Sequence, residues 1–251
     1  GVLMSHFMSP VTNVMRRELA GYFSTPVAWV CIVIFLVMSG GFTFYIGSFY
    51  QRGSADLDPF FQFHPWLYLF LVPAFSMRLG AEERRAGTIE LLLTLPMTAW
   101  QAVMGKFLAA WLFIGLALLL TFTVWLTVNY LGAPDNGVIA ASYIGSWLMS
   151  GSFLAIGSCM SALTRNQVVA FILSVVVCFG FLLSGLPMVM DLFSGWEPQA
   201  LLDAIADFSF LAHFSTISRG VIDLRDLVYF GLVIGFWLLA NTIVLEMRKA
   251  D

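Results

Sequence analysis

The sequence predicts an all-α integral membrane protein: six transmembrane helices preceded by an N-terminal interfacial helix, with two short re-entrant helices between spans 5 and 6. Three observations carry this. The 251-residue chain is 60% hydrophobic and only 11% charged, where a soluble domain is about a quarter charged. Its mean hydropathy is +0.89. Its charges gather between long apolar runs, not inside them. No segment has the composition of a soluble module, so one transmembrane domain over residues 1–251 is expected. A net charge of −3 without a basic tail gives no reason to expect a nucleic-acid partner; the lipid bilayer is the expected surrounding.

The elements follow in order. Ser9 and Pro10 are placed to cap and open a helix. Val11, Val14, Met15, Leu19, Tyr22 and Phe23 then recur at helical spacing, with Asn13, Arg16, Arg17, Gly21 and Ser24 largely opposite. This predicts an interfacial helix over residues 10–24, its arginines toward lipid headgroups. Spans are predicted at about 27–50, 60–79, 103–131, 138–163, 167–190 and 227–246, because each is long enough to cross a core roughly 30 Å thick. A charge left at mid-membrane costs about 2.5–3.5 kcal/mol, so the charges mark the ends. The second span carries His64-Pro65 and Pro73 and is expected to kink. Pro134-Asp135-Asn136-Gly137 and Thr164-Arg165-Asn166-Gln167 read as tight turns.

Lysine and arginine set the orientation. Arg16, Arg17, Arg78, Arg84, Arg85, Lys106, Arg165, Arg248 and Lys249 fall on one side, and only Arg52, Arg219 and Arg225 on the other. Both termini and residues 82–106 are therefore expected in the cytoplasm. In the long outer connection, Pro198 can start a helix with Leu201, Leu202, Ile205 and Phe208 on one face. Phe210, Leu211, Phe214 and Ile217 repeat the pattern around His213. Neither piece is long enough to span. Two helices dipping into the outer leaflet are expected; a small cap packed on the bundle is the alternative.

Catalytic signatures are missing. There is no GxxxxGK[ST], HExxH or GxSxG, and no His/Cys cluster at metal spacing. His64 and His213 read as single interfacial histidines. Cys31, Cys159 and Cys178 lie in apolar runs and read as small hydrophobes. No run carries a charge near its middle, which argues against an ion-coupled transporter. An integral-membrane enzyme would need polar residues converging at one interface, and Asp191 with the other outer aspartates shows no metal spacing. Gly231 and Gly235 form a GxxxG that can serve helix packing.

Residues 82–106 stand apart. Glu82, Glu83, Arg84 and Arg85 read as an exposed helical turn beyond the second span. Gly87 can end that helix, Thr88 can cap the next, and Glu90 complements its positive end. A short apolar helix over 88–95 follows, and Pro96 stops it. Thr98-Ala99-Trp100-Gln101 is a capping box opening the third span. The middle helix is too short and apolar to stand alone in water, so it must be covered by its own bundle, by lipid or by a partner.

Glu82-Glu83, Gly87-Thr88-Ile89-Glu90-Leu91-Leu92-Leu93, Pro96 and Gly105-Lys106 together resemble the cytoplasmic signature of ABC-2 type transporter permeases. The resemblance extends to Arg16-Arg17-Glu18-Leu19 in the interfacial helix and to the six-span layout. Residues 218–223 resemble the gliding-motility and nitrous-oxide-reductase-maturation branch. The resemblance implies a permease subunit of an ATP-driven exporter in the bacterial inner membrane. It implies as partners a cytoplasmic ABC ATPase subunit and a second permease copy or paired permease subunit. Catalysis and cofactors, ATP and Mg, would belong to the ATPase, with none in this chain. Residues 88–95 would be the coupling helix, with Glu82, Glu83, Arg84, Arg85, Gly87, Thr88, Glu90, Leu91 and Pro96 as the coupling site. Arg16, Arg17 and Glu18 of the interfacial helix would add a second contact. The first, second and fifth spans would line the dimer interface and any path. The alternative is a non-transporting subunit that transmits ATPase-driven motion to an extracytoplasmic partner.

Overall fold

The structure is a computed structural model; it describes residues 2–24, 26–46, 51, 53, 57–86, 98–184, 191, 195, 203 and 207–250. Among these the regular elements are all helices. They are α1 (Val2–Ser24), α2 (Pro26–Gly41, running into a π-helical turn at Phe42–Ile46), α3 (Asp58–Gln62), α4 (His64–Ala86), α5 (Ala99–Leu119), α6 (Phe122–Leu131), α7 (Asn136–Leu163), α8 (Gln167–Leu183), α9 (Phe210–Ser218) and α10 (Leu224–Ala250).

Three helices among the described residues are long and apolar enough to cross a membrane: Ala99–Leu131, Asn136–Leu163 and Leu224–Met247. A fourth is reached if the pair Pro10–Ser24 and Ala28–Phe44, bent by 72°, counts as one. The outer surface supports the membrane reading. Trp29, Val33, Val37, Ile172, Val176, Leu232 and Phe236 all lie open, a cover that suits lipid and not water. α8 is shorter, at 17 residues. The apolar part of α4, residues 64–77, reaches only about 21 Å.

The caps explain where several helices begin. Thr98 and Gln101 form the expected capping box: the Thr98 side chain accepts from Gln101 N at 3.3 Å, and Thr98 N donates to Gln101 Oε1 at 3.1 Å. Asp135 caps α7 through Gly137 N at 3.0 Å, and Asn166 caps α8 through Val168 N at 3.0 Å. Both expected tight turns are thus N-cap turns. The start of α1 differs from the expectation: the helix begins at Val2 and Pro10 lies inside it. Proline removes a single backbone donor, and the helix carries through. α4 likewise runs unbroken through Pro73.

α7 is the hub. It packs on α4, α5, α8, α9 and α10, and small residues let the neighbours approach. Gly145, Gly151 and Gly157 recur every six residues. At 3.6 residues per turn each step rotates by about 240°, so the three face different neighbours. A Cβ on Gly145 would sit 2.8 Å from Ile217 of α9. On Gly151 it would meet Trp111 of α5 at 2.8 Å and Ile234 of α10 at 3.2 Å. On Gly157 it would meet Ser76 of α4 at 2.2 Å. Around Gly151 the packing is reciprocal. Trp111 Nε1 donates to Trp147 O and Trp147 Nε1 donates to Trp111 O, both at 2.9 Å. The indoles stack with centroids 4.1 Å apart. Each ring lies over a glycine of the other helix, Trp147 on Gly115 and Trp111 on Gly151. By contrast, the GxxxG pair Gly231 and Gly235 faces open space.

His64 departs from the interfacial expectation. It is fully buried, ringed by Phe35, Phe60 and Phe61. Its Nδ1 lies 2.8 Å from Ser146 Oγ, which also meets Tyr68 OH at 2.6 Å. Of the two outer helices, residues 198–206 lie outside the described residues save Asp203. The second is α9. It runs antiparallel to α7, with Phe210 against Phe153, Ile217 over Gly145 and Gly220 beside Val138. Its apolar face therefore meets protein over about 12 Å of α7.

Candidate functional site

The charged stretch begins on α4, whose last turns carry Glu82, Glu83, Arg84 and Arg85. Gly87, Thr88, Glu90, Leu91 and Pro96, and with them the expected helix at 88–95, lie outside the described residues. The structure resumes at Thr98, where the capping box fixes the direction of α5.

α5 then meets α1. Val11 and Val14 of α1 are buried against Gly105, where a Cβ would stand 2.7 Å from Val14 Cβ and 3.1 Å from Val11 O. Only glycine admits this approach. Eight residues further along both helices, Tyr22 meets Phe113 at 5.6 Å, and it meets Phe75 of α4 at 5.5 Å. The two helices therefore run side by side in the same direction. α1 rests against the first turns of α5, where a helix lying flat on the lipid surface would cross them. Ala99–Leu131 is 33 residues, or about 50 Å, some 20 Å more than the membrane core requires.

The same contact joins two charged motifs far apart in sequence. Arg17 Nη2 lies 3.8 Å from Glu18 Oε1. Glu18 attracts the Lys106 ammonium while Arg17 repels it. Glu18 and Arg17 of α1 thus both act electrostatically on Lys106 of α5. The signal was present in the sequence, since Glu18 lies four residues after Val14 and seven after Val11 on the apolar face. An acid on that face calls for a compensating charge nearby, and Glu18 acts electrostatically on Lys106 of α5. Arg16 and Arg17 are exposed on the other side.

Among the described residues no group of three His, Cys, Asp or Glu is placed to hold a metal ion. Cys159 and Cys178 are buried free thiols and Cys31 is half-buried. Between α2, α4 and α5 lies a cavity of about 50 Å³ lined by apolar side chains, among them Ile32, Phe35, Val72, Phe75 and Ile114. It has room for a few water-sized groups. The fifth-span helix, α8, does not line it.

The arrangement is a rigid joint between an amphipathic helix and the entry of a long span, next to a charged connection. A family model described as ABC-2 family transporter protein matches residues 12–226. No curated protein matches the chain. The match begins on α1, takes in the Gly105 joint and all of the α7 hub, and ends at the first turn of α10, so this integral membrane chain belongs to the ABC-2 transporter family.

Proposed function

We propose that the chain is the permease subunit of an ATP-driven exporter, taking force at residues 82–106 from a separate cytoplasmic ABC ATPase that holds ATP and Mg. The observation that supports it most is the joint at Gly105. A push on the segment before Thr98 enters α5 through its capping box and reaches α1 through a contact with no slack. Residues 88–95 serve as the coupling helix, hinged at Gly87 and Pro96. Glu82, Glu83, Arg84 and Arg85 form a rim of both signs, which favours specific docking over raw affinity. Thr88, Glu90 and Leu91 seat the helix, and Arg16, Arg17 and Glu18 add the second contact.

In this reading all six runs span the bacterial inner membrane, with both termini cytoplasmic. α9 and the segment before it form the re-entrant outer pair. The cavity between α2, α4 and α5 is too small for cargo, which favours a path formed with a second permease copy or a paired permease subunit. Residues 218–223 support the gliding-motility and nitrous-oxide-reductase-maturation branch only weakly. Gly220 adopts φ +91°, Asp223 accepts from Arg225 N at 3.2 Å, and the turn alone accounts for both. The test is co-purification of the chain with a P-loop ATPase lacking spans, followed by ATPase assay with candidate cargo in nanodiscs. Cargo-stimulated hydrolysis with cargo movement supports the exporter. Hydrolysis coupled to a bound external protein, without cargo movement, favours the force-transmitting alternative.

A further inference from the structure

One nitrogen of His64 is accounted for by the hub and the other is not. Nδ1 meets Ser146 Oγ of α7 at 2.8 Å, and Tyr68 OH meets the same oxygen at 2.6 Å. Nε2 is buried and has no hydrogen-bond partner among the described residues. The two ring nitrogens point to different sides of the imidazole. With Nδ1 turned to α7, Nε2 faces away from it, into the seam where α2 and α3 meet α4.

The same seam holds a second such atom. Phe35, Ser39 and Phe42 recur at i, i+4 and i+7 and share one face of α2. Phe35 packs on the His64 ring at 5.9 Å, and Phe42 stacks on Phe63 at 5.2 Å. Ser39, between them on that face, therefore lies opposite residues 63–64. Its carbonyl is served locally by Thr43 Oγ1 at 2.6 Å. Its hydroxyl is buried without a partner among the described residues. His64 is 0% and Ser39 3% exposed. Two orphaned polar atoms from different helices thus share one closed seam, and no direct bond joins them. Leaving both unpaired in an apolar interior is unfavourable.

The chemistry of a ligand for this pair is narrowly defined. Nε2 donates or accepts according to tautomer, and a serine hydroxyl does either. A ligand that serves every combination must both donate and accept. It must be neutral, because α2 and its π-helical turn carry no charged residue and Asp58 of α3 is exposed. It must be small, because the seam is closed. Water meets all three conditions, and two such partners are enough to hold one. The way in is short, since Asp58 and Gln62 of α3 both reach the surface.

We propose that one water molecule sits between His64 Nε2 and Ser39 Oγ. It completes a hydrogen-bonded chain, Ser39–water–His64–Ser146–Tyr68, that runs from α2 through α4 to α7. α2 packs on α4, and its π-helical turn packs on α3; the chain adds a polar tie from α2 to the hub. Apolar contacts are non-directional while hydrogen bonds are not, so this tie sets the rotation of α2 about its own axis. The site does not depend on the exporter reading.

The test is an experimental structure of the full chain in lipid nanodiscs, at a resolution that shows ordered water, together with NMR of ¹⁵N-labelled histidine. A density peak within hydrogen-bond distance of both His64 Nε2 and Ser39 Oγ is expected. In the NMR experiment, magnetisation should pass from water to the His64 ring, whose signals are those lost in His64→Gln. Ser39→Ala should abolish that transfer and leave the transfer to His213 unchanged. Ser39 Oγ bonded directly to Nε2 would overturn the proposal, as would Nε2 set against the Phe60 ring, now 4.4 Å away between centroids, with no peak between His64 and Ser39. A wild-type His64 ring that receives nothing from water would overturn it too, and so would transfer that survives Ser39→Ala undiminished. All but the last of these are read on the wild type, so a variant that fails to fold does not protect the idea.

Discussion

Replacing Gly105 with alanine puts a methyl group where Val14 already stands. The added carbon would lie 2.7 Å from Val14 Cβ, 2.8 Å from Val14 Cγ1 and 3.1 Å from Val11 O. Carbon pairs rest at about 3.5–4.0 Å, so α1 must back away by roughly 1 Å. Val14 Cβ and Val11 O belong to the helix frame and cannot rotate aside. Overpacking of this kind costs about 1–3 kcal/mol. The sign should reverse when Val14 is first replaced by glycine. There Gly105→Ala meets little but Val11 O, and alanine is favoured over glycine in a helix by about 1 kcal/mol. The assay is a double-mutant cycle on the purified chain in nanodiscs, read by denaturant or thermal unfolding followed by tryptophan fluorescence. A coupling of at least about 1 kcal/mol between the two positions is expected. Additive effects, or a Gly105→Ala protein as stable as the wild type, would refute the claim that α1 and α5 move as one body.

Other outcomes follow from the same contacts. Trp111→Phe and Trp147→Phe should each cost about 1–2 kcal/mol, and the double variant clearly less than their sum, because losing one indole already unseats the other; unfolding in nanodiscs measures this. Ser146→Ala should destabilise by about 1–3 kcal/mol, since it strands a His64 nitrogen and the Tyr68 hydroxyl in the core; Ser146→Thr, which keeps the hydroxyl, should recover part of this if the pocket admits the methyl. Glu90→Lys or Gly87→Pro should abolish coupling of ATP hydrolysis to transport while the chain inserts normally. Membrane fractionation with transport and ATPase assays checks this, and unimpaired transport with normal ATPase recruitment would count against the coupling assignment.

The local chemistry of the fold was largely legible in the sequence. Thr98 with Gln101 forms the capping box read from the sequence, while Asp135 and Asn166, read there only as turn residues, also cap helices, because a cap is satisfied within four residues. The apolar stripe of α1 was legible as well, but its partner was not. Helical spacing shows that a face must be covered without saying by what, and the cover turns out to be Gly105 on α5. Gly115, Gly145, Gly151 and Gly157 carry the close packing of the hub. The GxxxG at Gly231 and Gly235, the pattern most visible in the sequence, faces outward. The histidines misled for a related reason. Their isolation in sequence hid Ser146, which meets His64 Nδ1, and Asp226 and the Asp207 carbonyl, which meet the two ring nitrogens of His213. Glu18, an acid on an apolar face, was a further signal in the sequence, and it acts electrostatically on Lys106 of α5.

The central claim is that a separate ATPase drives this chain through residues 82–106. It is tested most directly by placing a cysteine at Leu91 of the full chain and cross-linking it within a complex co-purified with a span-less P-loop ATPase. A specific cross-link to the ATPase is expected, its yield changing between nucleotide-free and ATP-bound states and falling in Glu90→Lys. Absence of any ATPase in the purified complex, or a cross-link only to this chain's own helices, would contradict it.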